Sequence, residues 1–380
     1  MPRKGFSVRV LYFLESFGLG GIESFVLNVL ENDGCSANSI ECCAGRMTTD
    51  AFNKRIASLE APFYRLETRV DGFPGFRYAE CARKLASFLA KHSYDVLHIH
   101  ANHGVDYLFA KIAKDCGVSK VVMHSHNTGV TEGTYKKLGH RLFRSAFSKY
   151  VDGYFACSEE AARWLLPKDA FNRDGYLFVP NGIDLNAYRF DRDAREELRD
   201  ELGVQGKLVC GHIGRFNYQK NHEFLINVFC RMHQDNENAV LLLAGEGELR
   251  NAIEQQVRSL GLDGAVRFLG PRNDVPRLLS AFDALLFPSR FEGLSVVLVE
   301  AQAADLPILA SDAISPDTVR SERLRLVPLD VEKWRIAFRT LSDNPVERGG
   351  QDSRLAPFGI QHSIELMDED YSALHRRALK

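Results

Sequence analysis

Phe287-Pro-Ser-Arg-Phe-Glu-Gly-Leu-Ser-Val-Val-Leu-Val-Glu300 is the stretch that decides how this chain folds. The apolar run ending at Phe287 reads as a strand, Pro288 stops it, a loop holds Glu292 and Gly293, and an apolar helix begins near Leu294. Strand, loop and helix in that order make half of a parallel crossover unit. Reading outward, the runs Leu208–Ile213, Val240–Ala244 and Val266–Leu269 precede the strand Ala284–Phe287 and Pro307–Ala310 follows it, with helical patterns such as Asn221–His233 between them. The first half repeats the series in Val8–Leu14, Ser39–Ala44, Val96–His100, Lys120–His124, Gly153–Cys157 and Tyr176–Val179, separated by helical patterns such as Arg77–Lys91 and Val105–Asp115. The alternation predicts an α/β fold of two Rossmann-like, doubly wound domains.

Pro180, Asn181 and Gly182 form a turn signal, and the polar stretch Asn186–Glu201 follows, so the crossover between domains is expected here. The predicted boundaries are 1–184 and 185–361. Open sheets bind ligands at the C-terminal ends of their strands, so two such domains facing across a cleft would present their loops to one ligand.

At 380 residues the chain exceeds what one ordinary core serves, which agrees with two domains. Its 45% hydrophobic and 26% charged residues are ordinary for a globular protein. Every apolar run breaks at a charge, Gly or Pro well short of the roughly 20 residues that a membrane span needs. Met1-Pro-Arg-Lys-Gly5 leads straight into a strand-like segment without a secretory pattern, so a cytoplasmic location is expected. The eight cysteines lack metal-ligand spacing, and Cys157 and Cys210 close apolar runs as small buried hydrophobes do. A net charge of -2 speaks against a nucleic-acid partner, although residues 1–180 carry 23 Lys and Arg against 19 Asp and Glu, and the remainder 25 against 31.

Chemistry is concentrated at the predicted strand ends. Glu292 and Glu300 are separated by seven residues, about two helical turns, so both could face one elongated ligand. Carboxylates accept hydrogen bonds from hydroxyl pairs, and free N–H groups at a helix start attract phosphate, so Gly293, Leu294 and Ser295 suit a phosphate flanked by sugar and ribose. The plainer reading is a capping Glu and a satisfied buried Glu, but an unpaired Glu300 in the apolar run Val296–Ala304 would be costly. Gly214 opens the loop after Leu208–Ile213, and Arg215 and Lys220 supply a fork and a point charge for a diphosphate. A solvated basic turn would look the same in isolation. Gly245, Glu246 and Gly247 follow Val240–Ala244 and suggest a third loop on the same rim.

In the first half, Gly18 and Gly20 invite a dinucleotide reading with Glu41 on the ribose. The third glycine is missing, and Glu23 would repel a pyrophosphate, so a flexible loop of Gly20 and Gly21 touching substrate is better supported. His126, in His124-Ser-His126-Asn-Thr-Gly129, follows a strand and could orient or polarise a sugar hydroxyl. His98 and His100 raise a metal site, but alternating strand histidines with no nearby carboxylate read as core groups. Asp191-Arg-Asp193 and Asp368-Glu-Asp370 follow no strand and read as surface. Tyr135, Leu138, Leu142, Phe143, Ala146, Phe147 and Tyr150 recur at helical spacing, interleaved with Lys136, Lys137, Arg141, Arg144 and Lys149. This 134–150 helix fits an anionic membrane surface and fits an ordinary helix packed on its sheet equally well.

Together, Gly20-Gly-Ile-Glu23, Asn181-Gly-Ile-Asp184, Gly214-Arg215 with Lys220, Ala244-Gly-Glu-Gly247 and the Glu292 and Glu300 pair resemble the retaining glycosyltransferases of family 4, over nearly the whole chain and in the expected order. His124-Ser-His-Asn-Thr128 and Glu300-Ala-Gln-Ala-Ala304 are most similar to the bacterial exopolysaccharide and capsule transferases. The resemblance implies the GT-B fold, with a last helix, 362–380, returning to the first, acceptor-side domain while the second holds the donor. It implies a nucleotide-sugar donor, a UDP-sugar foremost, a saccharide or lipid-linked acceptor, and no metal or other cofactor. It places Arg215 and Lys220 on the diphosphate, Glu300 on the ribose, Glu292 and His126 near the donor sugar, and Gly20 and Gly21 in a mobile loop. The basic and polar stretch Arg320–Arg325 departs from the pattern and has no role in this reading. A sugar-nucleotide epimerase, a phosphorylase or a non-catalytic nucleotide-sugar sensor of the same architecture are the rival readings.

Overall fold

The computed structural model describes residues 8–18, 20–32, 36–69, 74–126, 134–172, 175–315, 318–343, 347–350 and 352–378. Leu19 and residues 127–133, which include Asn127, Thr128 and Gly129 of the histidine motif, lie outside them, as do the side chains of Tyr135 and Lys136. The chain divides into two compact units, Met1–Ile183 with Pro357–Lys380, and Asp184–Ala356.

The first unit carries strands β1 (Arg9–Leu14), β2 (Ser39–Ala44), β3 (Phe63–Arg65), β4 (Val96–Ala101), β5 (Lys120–Ser125), β6 (Gly153–Ala156) and β7 (Leu177–Phe178). They form one sheet in the order β3-β2-β1-β4-β5-β6-β7, with every pairing parallel. The connections hold helices α1 (Gly21–Glu31), α2 (Asn53–Ala57), α3 (Pro74–Leu89), α4 (Tyr107–Asp115), α5 (Thr134–Phe147), α6 (Glu159–Leu165) and α7 (Lys168–Asn172). The second unit repeats the plan with α8 (Arg192–Glu201), β8 (Leu208–Ile213), α9 (His222–Asp235), β9 (Ala239–Ala244), α10 (Arg250–Ser259), β10 (Val266–Gly270), α11 (Val275–Ala281), β11 (Ala284–Phe287), α12 (Val296–Ala303), β12 (Ile308–Ser311), β13 (Leu324–Val327) and α13 (Val331–Ser342). Its sheet runs β10-β9-β8-β11-β12-β13, again parallel throughout. The expected α/β class with two doubly wound sheets is the one found.

The last helix, α14 (Ile360–Ala378), belongs to the first unit. Its Ile364, Met367, Tyr371 and Leu374 are buried against Val8, Tyr12, Val122 and Phe155. Asp368, expected at the surface, is an anchor instead: its carboxylate accepts from Ser36 Oγ at 2.8 Å, Ala37 N at 2.7 Å and Asn38 Nδ2 at 2.8 Å. Asp191 does lie at the surface, where it caps α8 by accepting from Ala194 N at 3.0 Å. The stretch Arg320–Arg325 acquires a structural role as the approach to edge strand β13. Gln302 on α12 accepts from Arg320 N and Ser321 N at 2.9 and 2.8 Å, and Arg323 pairs with Asp305 at 2.6 Å.

Three histidines of β4 and its neighbour β5, with His126 just beyond β5, lie under α1 and α14. Tyr371 holds His98 Nδ1, and His98 Nε2 meets His124 Nδ1 at 3.1 Å. His100 Nδ1 meets His126 Nε2 at 3.0 Å, and His126 Nδ1 meets Asn181 Oδ1 at 2.8 Å. Burial disfavours the imidazolium in all four: His126 is pushed down to about 4, and His98, His100 and His124 fall well below their ordinary value. The unfolded chain binds these protons near pH 6.5 while the folded chain does not. Stability is therefore complete above that pH and is lost as pH falls towards about 4, with His126 alone contributing on the order of 3 kcal/mol. Urea unfolding of the first unit across pH 7 to 4 is expected to show this loss, and His126→Gln to reduce its slope; a stability flat across that window would contradict it.

Candidate functional site

In the second unit the strand order reverses between β8 and β11, which are hydrogen-bonded neighbours whose chains continue to different helical layers. Such a switch point opens a crevice at the C-terminal strand ends. Two loops line it, one after β8 and one after β11. Lys220 Nζ meets Glu292 Oε1 at 2.6 Å across them and lies 4.4 Å from the centre of the Phe287 ring. Arg290 N donates to Gln219 O at 2.8 Å, Gln219 Nε2 to Phe291 O at 3.1 Å, and Asn221 Nδ2 to Pro288 O at 3.2 Å. Asn221 has φ 56, the left-handed turn from which α9 starts. Arg290 covers Tyr218 at 4.5 Å, a contact that no motif in the sequence announces.

Arg215 stands on the same loop, exposed, and its guanidinium has no hydrogen bond or ion pair among the described residues. The predicted clamp is thus asymmetric. Its lysine is neutralised by Glu292 within the protein, and its arginine is presented to solvent.

Glycines bring a third loop against the first. Gly214 N donates to Ala244 O at 3.0 Å, and a Cβ on Gly245 would stand 2.1 Å from Gly214 O, so backbone lies on backbone where a side chain cannot fit. Glu246 beside it is exposed and ion-pairs with Arg250, the first residue of α10, which also meets Glu254 at 2.9 Å. Glu246 is therefore tied to the start of α10.

The helix after Glu292 starts at Val296, two residues later than the sequence suggests, with Ser295 as its N-cap. Gly293 and Leu294 form the entry to it. Ser315 N donates to Glu292 O at 3.1 Å and Thr318 Oγ1 to Gly293 O at 3.4 Å, fixing the loop to the segment after β12. Glu300 is 7% exposed, and the Tyr188 hydroxyl donates to its Oε1 at 2.7 Å. The cost of an unpaired carboxylate in an apolar helix is thereby avoided. Glu292 and Glu300 thus have separate protein partners, one a cation and one a phenol. Tyr188 escaped sequence reasoning because it lies in the polar stretch after the Asn-Gly turn, with no pattern to mark it.

In the first unit, Gly20 is the N-cap of α1 and Gly21 its first residue. Glu23 accepts from Gly18 N at 2.9 Å, so the carboxylate that argued against a pyrophosphate serves the loop's own backbone. Glu41 sits in the middle of β2 opposite Leu11 and accepts from Tyr94 at 2.7 Å and from Tyr64 and Arg9 at 3.1 Å. It is far from the strand end where a ribose-holding acid would be needed. His126 lies at the end of β5 with both ring nitrogens engaged by His100 and Asn181, and it is neutral at physiological pH.

His98, His100 and His124 bring ligand atoms within 4.8 Å of one another. The ring geometry does not suit a shared ion. A metal must lie in the plane of each ligating imidazole, whereas His98 and His100 stack with centroids 4.3 Å apart and planes 15° from parallel. Both nitrogens of His98 are already hydrogen-bonded, to Tyr371 and His124.

Helix α5 divides its faces. His140 accepts from Gly104 N at 2.9 Å and stacks on Trp164, and Arg144 donates to the carbonyls of Trp164 and Leu166 at 3.1 and 3.3 Å. Lys137, Leu138, Arg141 and Leu142 face solvent, with the two leucines 55% and 56% exposed. Among the described residues no helix is long and apolar enough to cross a membrane.

Comparison with known proteins assigns the chain. Residues 20–187 match the model of Glycosyltransferase Family 4, and residues 207–344 match that of Glycosyl transferases group 1. The chain is 30% identical over 311 residues to the glycosyltransferase named EpsF of Bacillus subtilis (strain 168), covering 81% of this chain and 80% of that protein. It is 25% identical to the UDP-Gal:alpha-D-GlcNAc-diphosphoundecaprenol alpha-1,3-galactosyltransferase of Escherichia coli, over 60% of each chain. Among solved structures, Anabaena Alr3699/HepE in complex with UDP and glucose superposes with a TM-score of 0.76 at 19% identity, covering 96% of this chain and all of that one. Two parallel-sheet units, the switch-point loops and these matches lead to one conclusion: the chain belongs to the family 4 glycosyltransferases and has their GT-B fold.

Proposed function

We propose that this glycosyltransferase moves a hexose or N-acetylhexosamine from a nucleotide sugar, a UDP-sugar foremost, to a hydroxyl of a saccharide or lipid-linked acceptor in exopolysaccharide or capsule synthesis. The observation that carries the reading is the convergence of Arg215, Lys220, Glu292 and the start of α12 on the β8 and β11 switch point of the second unit. The diphosphoundecaprenol-linked GlcNAc in the name of the Escherichia coli galactosyltransferase supports the class of acceptor, and the UDP and glucose in the Anabaena structure support the donor.

The second unit is the donor unit and the first the acceptor-side unit. The donor diphosphate takes the place of the Glu292 carboxylate on Lys220 and draws in the exposed Arg215. Backbone N–H groups from Gly293 to Ser295 meet the phosphate oxygens, the loops at Gly214 and Gly245 allow its close approach, and Glu246 borders the rim. Glu300 accepts from the ribose hydroxyls, and Glu292, once released, faces the sugar. Gly20 and Gly21 serve the sugar from the first unit, and His126 does so by exchanging its contact with Asn181 or His100 for a sugar hydroxyl. The acceptor hydroxyl attacks the anomeric carbon on the face from which the nucleoside diphosphate departs, so configuration is retained. The leaving diphosphate collects charge as the bond breaks, and the two cations counter it without a metal.

Arg215→Ala is expected to lower turnover by roughly a hundredfold or more with little change in melting temperature, measured as sugar transfer from UDP-glucose, UDP-galactose or UDP-N-acetylglucosamine to added acceptor. Near-normal turnover at saturating donor would remove Arg215 from the clamp. Conversion of the donor without acceptor would identify an epimerase instead.

The solvent face of α5 supports a second proposal, peripheral contact with the anionic inner face of the cell membrane. Two exposed leucines beside Lys137 and Arg141 combine apolar area with charge of the right sign. Each cation near such a surface contributes about 1 kcal/mol. Replacing Lys137 and Arg141 by Gln is expected to weaken sedimentation with phosphatidylglycerol vesicles by roughly tenfold or more, and Leu138→Ser with Leu142→Ser to weaken it further. Equal sedimentation of all forms would exclude this face as the contact.

A further inference from the structure

Tyr188 lies outside every motif discussed above, yet it is held in place from both directions. Asp184 Oδ1 accepts from Asn186 N at 2.9 Å and Ala187 N at 3.3 Å, which shapes the turn before it, and Asp191 N donates to Ser280 Oγ at 3.2 Å just after it. Its ring packs on the core that includes Leu298 and Ala301 of α12. From that seat its hydroxyl reaches Glu300 Oε1 at 2.7 Å. A glutamate has three rotatable bonds, and leaving them to choose their own rotamers spends part of any binding energy on ordering the side chain. A phenol fixed by packing removes that freedom before a ligand arrives.

We propose that Tyr188 is a positioning residue for nucleotide recognition: by holding one oxygen of Glu300, it orients the carboxylate towards the paired hydroxyls of the donor ribose. The inference rests on the reading of Glu300 as the ribose-holding group. A carboxylate set in this way makes two directed hydrogen bonds to a vicinal diol. One free to rotate makes them at an added cost. Tyr188 thereby contributes to selection between ribose and deoxyribose without touching the ligand.

The test measures binding of UDP and of 2′,3′-dideoxy-UDP by isothermal titration calorimetry to the full chain, to Tyr188→Phe and to Glu300→Gln. Tyr188→Phe keeps the ring and removes only the hydroxyl, so it is expected to fold as the unaltered chain does. It should weaken UDP by about three- to tenfold and leave the dideoxy compound unchanged, so that the ratio of the two affinities contracts. Glu300→Gln should contract the ratio at least as far. A ratio unmoved by Tyr188→Phe but contracted by Glu300→Gln overturns the role of Tyr188 while leaving the ribose reading intact. A ratio unmoved by Glu300→Gln, or absent from the unaltered chain, overturns the ribose reading and this proposal with it. Equal weakening of both ligands by Tyr188→Phe marks general loosening of the pocket and also overturns the proposal.

Discussion

Parallel strands that are neighbours in a sheet, but whose onward chains depart to opposite faces, leave a gap between their following loops. The second unit is organised around that gap. After β8 the chain enters the helical layer of Leu225, Ile226 and Phe229, and after β11 it enters the layer of Leu298 and Ala301 on the other side. The loops must part, and the space between them is filled by side chains and backbone donors instead of by continuous packing. The Lys220 and Glu292 pair bridges this opening. A pair that is only partly buried and meets through one oxygen is a contact a more highly charged group can replace, since the lysine is already desolvated on one side by the Phe287 ring.

The layered plan was readable because buried parallel strands are written as short apolar runs that sequence periodicity registers directly. Two edge strands were not. β3 has three residues, none fully buried, and β13 reads Leu-Arg-Leu-Val with its two central residues exposed, so neither carries the apolar signature of a central strand. The polar stretch before β13 looked purposeless for the same reason: its function is to satisfy Gln302 and Asp305, whose positions only the fold brings near.

The site was legible as positions and less so as partners. Arg215, Lys220, Glu292 and Glu300 stand at or beyond the strand ends where their spacing put them. Which group each one holds is a long-range matter. Glu300 finds a tyrosine 112 positions earlier, and Lys220 a glutamate 72 positions later. Glu23, which looked like a repulsive charge, turned out to be a local backbone acceptor. His126, read as a group to orient or polarise a sugar hydroxyl, has both ring nitrogens engaged by His100 and Asn181. Charges in a sequence can be counted, but their cancellation depends on contacts across the sheet.

Helix α14 closes the core of the first unit from the far end of the chain, with Tyr371 under the histidines and Asp368 on the approach to β2. During synthesis, residues 184–356 of the second unit emerge as one uninterrupted segment and hold everything their sheet requires. The first unit begins earlier and finishes later. On the face that α1 already covers in part, its sheet lacks the share supplied by Ile364, Met367, Tyr371 and Leu374 until those residues are made, so the unit nearer the N-terminus is the last to complete its core, against the ordinary N-to-C order of domain folding.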